Sequence, residues 1–242
     1  MRIFGKSDIG MKRHSNQDAF RTGSLTGNAV WAVVCDGMGG ANGGSVASQS
    51  AVESIAGRIA SSYREDMDSG AVKKMLVDSV CQANTIVYEK ARQNSDLSGM
   101  GTTVVLALVK GVSLYLAHAG DSRAYVVSGD TIRQVTTDHS MVQEMVERGE
   151  LTQQQARWHP RKNIITRALG VAPDIKVDYC ELPFHDEDIL LLCSDGLSNY
   201  VDGEALYQYI VNNELSELAD ILVERTKELG GSDNITVVIV GR

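Results

Sequence analysis

Short apolar runs rich in β-branched residues recur along the chain, and their length predicts buried strands. The first, residues 30–35, ends abruptly in an aspartate followed by a glycine-rich turn. Two later runs, at residues 112–119 and 188–193, are also followed by an aspartate, and a fourth, at residues 235–240, is preceded by one. The four acids predicted at strand tips are Asp36, Asp121, Asp195 and Asp233.

Helical periodicity marks the segments between these strands. Apolar residues at three- and four-residue spacings predict one helix pair over residues 46–59 and 72–87, and a second pair over residues 206–210 and 218–229. The short strands between residues 104 and 135 predict an antiparallel meander. Because strands and helix pairs do not alternate one for one, the order predicts an α+β fold. The simplest packing is a four-layer α-β-β-α sandwich with two central, mostly antiparallel sheets.

Composition narrows the class of protein. The 242 residues include only three prolines and no linker-like or low-complexity tract, which predicts a single domain over residues 1–242. The net charge of −8 argues against a nucleic-acid partner. No apolar stretch reaches the length of a membrane span, so no membrane insertion is expected. Four widely spaced cysteines in apolar contexts indicate reduced thiols and a cytoplasmic location.

The acids at the strand tips decide what chemistry is possible. Two carboxylates about 4 Å apart repel by about 4 kcal/mol at an effective dielectric near 20, so several of them need a compensating cation. Oxygen ligands without neighbouring Cys or His suit Mg2+ or Mn2+ better than zinc. A single Asp-Gly at a strand end is more often only a turn. Four together favour a metal centre. A cysteine-dependent phosphatase is excluded, because no cysteine is followed six positions later by arginine.

The ordered motifs along the whole chain resemble the metal-dependent protein phosphatase (PPM, type 2C-like) family in its compact bacterial form. Each motif is short, but the series is specific. The motifs are Arg13-x-x-Asn16-Gln17-Asp18, Asp36-Gly37-Met38-Gly39-Gly40, Gly101-Thr102-Thr103, Gly120-Asp121-Ser122-Arg123, Asp138-His139-Ser140, Thr166-Arg167-Ala168-Leu169-Gly170, Ser194-Asp195-Gly196 and Asp233-Asn234-Ile235-Thr236.

The resemblance implies a metal centre at one end of the sandwich, between the sheets. Asp36 would bridge two Mn2+ or Mg2+ ions, and the backbone carbonyl of Gly37 would join the second. Asp195 and Asp233 would hold the first ion. Asp121, with help from Asp195, would hold a third, more weakly bound ion.

The resemblance also implies how catalysis would run. A hydroxide shared by the two ions would attack phosphorus directly, so Asp36 counts as catalytic as well as metal-binding. Arg13 would be catalytic and substrate-binding, since a planar guanidinium grips phosphate well. Asp18 and Asn234 would support the metal site from outside its ligands. Residues 139–172 would form the flap, an excursion beside the active site.

One departure from the family pattern leaves the general acid unassigned. Many relatives carry a histidine just after the Asp-Gly or after the double glycine, where this chain has Met38 and Ala41. Our hypothesis is that a metal-bound water, on the Asp121 site, protonates the leaving group. His159 is the other candidate, although His159-Pro160 more often forms only a turn.

The function that follows is dephosphorylation of phosphoserine and phosphothreonine by a monomeric enzyme that opposes a bacterial Ser/Thr kinase. Its partners would be a cognate kinase and that kinase's substrates. A catalytically silent phosphoprotein-binding regulatory module on the same fold is the alternative, disfavoured because every metal aspartate and Arg13 are present. A metallophosphoesterase acting on nucleotides is disfavoured by the acidic composition and the lack of His-rich metal spacing.

Overall fold

Two antiparallel sheets pack face to face in a computed structural model that describes residues 1–40 and 43–242. The strands are β1 (Arg2–Asp8), β2 (Asp18–Ser24), β3 (Val30–Met38), β4 (Gly101–Thr102), β5 (Val104–Lys110), β6 (Ser113–Ala119), β7 (Arg123–Ser128), β8 (Thr131–Gln134), β9 (Asp178–Pro183), β10 (Ile189–Cys193) and β11 (Ile235–Gly241). One sheet has the order β1-β11-β10-β7-β8. The other has the order β2-β3-β5-β6-β9, with β4 paired to β3.

Helices cover both outer faces of the sheet pair, which confirms the predicted four layers. The helices are α1 (Gly40–Ser62), α2 (Ser69–Gln93), α3 (Met141–Glu147), α4 (Gln153–Arg157), α5 (Asp195–Ser198), α6 (Gly203–Asn212) and α7 (Leu215–Glu228). The pair α1 and α2 packs on the β2–β9 sheet, and α6 and α7 pack on the other. The short helices α3 and α4 lie within residues 139–172, the predicted flap. None of the helices in the described part of the chain has both the length and the apolar character needed to cross a membrane.

Three apolar cores separate the layers, and two of them explain why residues 30–35 of strand β3 are all apolar. Val30, Ala32 and Val34 point into the core between the sheets. The intervening residues Trp31, Val33 and Cys35 point into the core beneath α1 and α2. Because both faces of the strand are covered, alternation with polar residues is lost.

The strand order brings the acidic tips to one edge. Strands β3 and β6 both pair antiparallel with β5, so they run parallel and their ends carry Asp36 and Asp121 to the same edge. In the other sheet β10 and β11 are antiparallel neighbours, so Asp195, after β10, lies near Asp233, before β11. Asp18 at the start of β2 pairs directly with Asp36.

Candidate active site

The backbone of Asp36 is held on both sides, which fixes the direction of its carboxylate. Its N–H donates to Thr103 Oγ1 at 2.9 Å. Its carbonyl oxygen accepts from the Thr103 N–H at 2.9 Å and from Thr102 Oγ1 at 2.9 Å. Thr102 and Thr103 belong to a motif noted in the sequence, but their role in holding Asp36 emerges only from the structure.

The glycines that follow Asp36 and Asp195 allow backbone segments to approach closely. A Cβ on Gly37 would lie 2.0 Å from the carbonyl oxygen of Gly44, and a Cβ on Gly196 would lie 1.9 Å from the carbonyl oxygen of Asn234. Neither glycine has a positive φ. The Asp-Gly pairs are therefore a packing requirement and not only turn formers.

Asp18 ties the two sheets together at this edge. Its Oδ2 accepts hydrogen bonds from Ser194 Oγ and from Thr236 Oγ1, each at 2.7 Å. Its Oδ1 is buried and has no hydrogen-bond partner. A buried carboxylate oxygen without a partner is costly, and it calls for a partner such as an ordered water molecule that donates to it or a cation that it coordinates.

Asn234 anchors the loop that carries Arg13. Its Oδ1 accepts from the Gln17 N–H at 2.8 Å, and its Nδ2 donates to the carbonyl oxygens of Ile9 and Ser15 at 2.9 and 3.0 Å. Arg13 Nη2 donates to Asp233 Oδ2 at 2.7 Å. The arginine predicted to bind phosphate is thus hydrogen-bonded to Asp233, one of the predicted metal ligands.

The carboxyls repel one another strongly. Burial, together with the charges of Asp18 and Asp195, raises the pKa of Asp36 well above its ordinary value. Burial raises the pKa of Asp18 to about 7, and burial with Asp195 raises that of Asp121 to about 8. Burial and Asp233 raise the pKa of Asp195, partly offset by a hydrogen bond with Asp36. The predicted acids therefore lie in one electrostatic neighbourhood.

These residues fit a hard divalent cation. The site offers carboxylate oxygens, including the unpartnered Oδ1 of Asp18, and the mutual repulsion is of the sign a cation removes. Among the described residues, one group of three potential metal-binding side chains has its ligand atoms within 4.8 Å of one another. It contains none of the predicted metal ligands and consists of His118, His139 and Asp178.

The metal-free protein should become less stable as pH rises through the range in which Asp18 ionises. Between about pH 4 and 7 unfolded Asp18 loses its proton while folded Asp18 keeps it, so unfolding becomes progressively easier. Asp18→Asn removes this effect but keeps an acceptor for Ser194 and Thr236. In EDTA, the melting temperature of the variant minus that of wild type should grow from pH 4 to pH 7 and then level off. A constant difference would contradict the pKa assignment.

A cavity of about 470 Å3 lies between the predicted flap and helices α5 and α6. Its lining includes Asp121 and Asp195, together with Gln143 and Lys162 of the predicted flap. Lys162 Nζ donates to Asn199 Oδ1 at 2.7 Å, and Asn199 Nδ2 donates to Asp195 Oδ2 at 3.0 Å. The cavity therefore places side chains of the predicted flap beside two of the predicted metal ligands.

Sequence reasoning missed Asn199, although its place four positions after a candidate ligand, on the same helical turn, was a usable signal. His159 Nδ1 accepts from the Arg161 N–H at 3.1 Å, which agrees with a turn. Met38 ends β3, while Ala41 lies outside the described residues.

A sandwich of two antiparallel sheets, with like-charged carboxylates buried beside an arginine at one edge, is the architecture of a metal-dependent phosphatase. The chain belongs to the protein phosphatase 2C family, whose model, described as Protein phosphatase 2C, matches residues 5–229. This confirms the family resemblance drawn from the motifs.

Relatives agree with this assignment over nearly the whole chain. A serine/threonine phosphatase stp from Listeria welshimeri is 37% identical over 241 residues, which cover 98% of this chain and 94% of the relative. The crystal structure of serine/threonine phosphatase Stp1 from Staphylococcus aureus matches with a TM-score of 0.93 and 32% identity, covering 99% of this chain and 94% of that one. The catalytic domain of serine/threonine protein phosphatase PstP, in complex with two manganese ions, matches with a TM-score of 0.85 and 32% identity, covering 98% and 96%.

Proposed function

We propose that the chain is a protein-serine/threonine phosphatase, a hydrolase of phosphoserine and phosphothreonine that requires two Mn2+ or Mg2+ ions. The observation that carries this is the edge where buried carboxylates from both sheets meet beside Arg13. The relatives named as phosphatases support the same activity.

Asp36, Asp195, Asp233 and the carbonyl of Gly37 would hold the two ions, and Asp121 would hold a third, weaker one. When bound, the ions supply the positive charge that activates a water molecule for in-line attack on phosphorus. Asp18 would orient water from outside the ligands through its free Oδ1. The neutral amide of Asn234 would keep the Arg13 loop in place without adding charge.

Arg13 is proposed to bind the substrate phosphate. Its side chain is about half exposed, and exposed ion pairs are weak, so its bond to Asp233 is easily exchanged. With a cation held by Asp233, that carboxylate would attract Arg13 less strongly, and Arg13 would be free to donate two parallel hydrogen bonds to phosphate oxygens.

Arg13→Ala should lower kcat/KM by roughly 10- to 100-fold, because a charge-assisted hydrogen bond to phosphate is lost. Arg13→Lys should recover part of this loss, since it keeps the charge but not the planar fork. Steady-state kinetics with a phosphothreonine peptide at saturating Mn2+ check this. Arg21→Ala, on the exposed face of β2, is the matched control. An Arg13→Ala enzyme with wild-type kcat/KM would contradict the assignment.

The alternative, a silent phosphoprotein-binding module on the same fold, is separated by one assay. Wild type should release phosphate from a phosphothreonine peptide when Mn2+ is present and stop when a chelator is added. Asp195→Asn should release little under the same conditions. Binding of the peptide by the wild type without turnover would favour the binding module.

The biological setting belongs to the same proposal. We infer a cytoplasmic monomer, one catalytic domain over residues 1–242 with a flap at 139–172, that opposes a cognate Ser/Thr kinase and acts on its substrates in signal transduction. The four cysteines are free thiols, which suits a reducing compartment. The relatives come from bacteria such as Listeria welshimeri and Streptococcus pneumoniae.

A further inference from the structure

A cluster of side chains outside the proposed metal centre joins the two ends of the flap. His118, His139 and Asp178 bring potential ligand atoms within 4.8 Å of one another, and both histidines are buried. Their rings stack with centroids 4.7 Å apart. By composition alone this cluster resembles a metal site.

The hydrogen bonds of His139 argue against a metal ion there. Its Nδ1 accepts from the Gly120 backbone N–H at 3.0 Å, so in the neutral ring the proton lies on Nε2. Asp178 Oδ2 lies 3.2 Å from Nε2 and accepts a hydrogen bond from its N–H. Arg167 Nη1 donates to Asp178 Oδ1 at 2.7 Å. Its approach to Nε2, at 2.8 Å, is a contact between two donors and not a hydrogen bond when Nε2 carries the proton. A cation bound to Nε2 would have to displace both a proton and a guanidinium.

The pKa directions agree with this protonation state. Burial, reinforced by the charge of Arg167, lowers the pKa of His139 despite its bond to Asp178. Burial opposes ionisation of Asp178, but the hydrogen bonds from Arg167 and His139 outweigh it and lower the pKa of that carboxyl. The cluster therefore holds a neutral imidazole between a backbone donor and a carboxylate.

The imidazole of His139 is hydrogen-bonded to the backbone of Gly120, the residue immediately before Asp121. The Gly120 N–H donates to the His139 ring, and the Gly120 carbonyl oxygen accepts from the His139 backbone N–H at 3.0 Å. Gly120 has a φ of 115°, and a Cβ there would lie 2.6 Å from the Cβ of Thr103. The Gly120 peptide is therefore hydrogen-bonded to His139 at both its N–H and its carbonyl oxygen, and its Cα lies closely against Thr103.

Both ends of the flap meet at this grip. His139 is the first residue of the flap, and its carbonyl oxygen accepts from the Thr166 N–H at 2.8 Å. Arg167, at the returning end, reaches the same Asp178 that orients the imidazole. A displacement of either end of the flap would therefore disturb the hydrogen bonds that hold the Gly120 peptide.

We propose that His139, oriented by Asp178, is a positioning residue that aims Asp121 at the third, weaker cation and links that site to the two ends of the flap. This rests on the proposed function, in which Asp121 holds that ion. Loss of a supporting hydrogen bond outside the ligand shell typically weakens metal binding by about 10- to 100-fold. We expect that range for the weak ion, with the tighter ions unaffected.

Two substitutions at one position separate positioning from packing. In His139→Asn the side-chain oxygen lies near the place of Nδ1 and can still accept from Gly120, whereas His139→Leu keeps bulk but has no acceptor. Asp178→Ala, at a partly exposed side chain, removes the orienting carboxylate without touching the core. Asp121→Ala marks complete loss of the weak site.

The readout is Mn2+ binding, measured by calorimetry and by the electron paramagnetic resonance of free Mn2+, alongside melting temperature. His139→Leu should weaken the weakest class of site about 10-fold or more, with the tighter sites unchanged. His139→Asn should recover most of that affinity, and Asp178→Ala should lie between. If His139→Leu does not fold, the other two variants still test the inference, because the weak-site affinity should be higher in His139→Asn than in Asp178→Ala.

The outcomes distinguish this inference from the proposed function. A wild-type enzyme without Mn2+-dependent phosphate release would overturn the proposed function. If the wild type is active and both His139→Leu and Asp178→Ala bind the weak ion as tightly as wild type does, the inference alone is overturned. So would tight Mn2+ or Zn2+ binding that survives Asp121→Ala and disappears in His139→Asn, because it would place a metal on the histidine cluster itself.

Discussion

Asp36→Asn is expected to lower kcat for a phosphothreonine peptide by on the order of 10³-fold, the upper range for removing one preorganised charge-stabilising group. The same variant, free of metal, should melt at a higher temperature than metal-free wild type. Both results have one cause, because Asp36 is buried among like charges that raise its pKa and only cations compensate that repulsion. Asparagine is neutral, so it relieves the repulsion but is a poorer ligand for the proposed ions.

The two measurements, steady-state kinetics in Mn2+ and thermal melting in EDTA, guard against misreading a folding defect. Asp66→Asn, at an exposed aspartate between α1 and α2, is the matched control and should change neither quantity. Activity lost together with metal-free stability would mean that Asp36 is a structural residue, contrary to this expectation.

Gly196→Ala should produce a large loss of stability for a single added methyl group. The new Cβ would meet the backbone oxygen of Asn234 at 1.9 Å, so the start of α5 and the start of β11 would have to separate. Overpacking of this kind costs about 1–3 kcal/mol, and a clash with backbone lies at the upper end. Because Asp195 and Asp233 flank the two segments, Mn2+ affinity should fall as well.

Gly57→Ala supplies the comparison for that substitution. Gly57 lies in α1, and a Cβ there would meet nothing within 4 Å. Replacing a helical glycine with alanine without strain stabilises by about 0.4–1 kcal/mol. In denaturant unfolding, with and without Mn2+, the free energy of unfolding should fall in Gly196→Ala and rise in Gly57→Ala. Equal stability of Gly196→Ala and wild type would show that the two segments are free to separate at no cost.

Much of the fold followed from local pattern. The continuous apolar run of β3 and the helical spacing of α2 each report burial of nearby residues, so strands, helix pairs and the four layers could be predicted. The acids at the strand tips and the motif series also led to the family, which the matching family model confirms. Such inferences succeed because burial leaves its mark within a few positions.

The hydrogen-bond partners of individual side chains, in contrast, could not be predicted from local pattern. That Arg13 lies on Asp233, that Asn199 supports Asp195, and that His139 grips Gly120 could not be predicted. Each depends on a distance of 3 Å or less between groups whose separation is set by loops with no periodic signal. The motif containing His139 was noted as part of the family pattern, but its bond to the peptide before Asp121 had no sequence signature.

By itself, the sequence determined which segments are buried strands and helices, and that acids stand at the ends of the most apolar strands. Only the tertiary structure decided that those ends share one edge and that Asp18 bonds to hydroxyls 176 and 218 positions away. The physical reason is that burial is read residue by residue, whereas strand order and sheet packing choose which distant residues meet. The chemistry of the site depends on that choice.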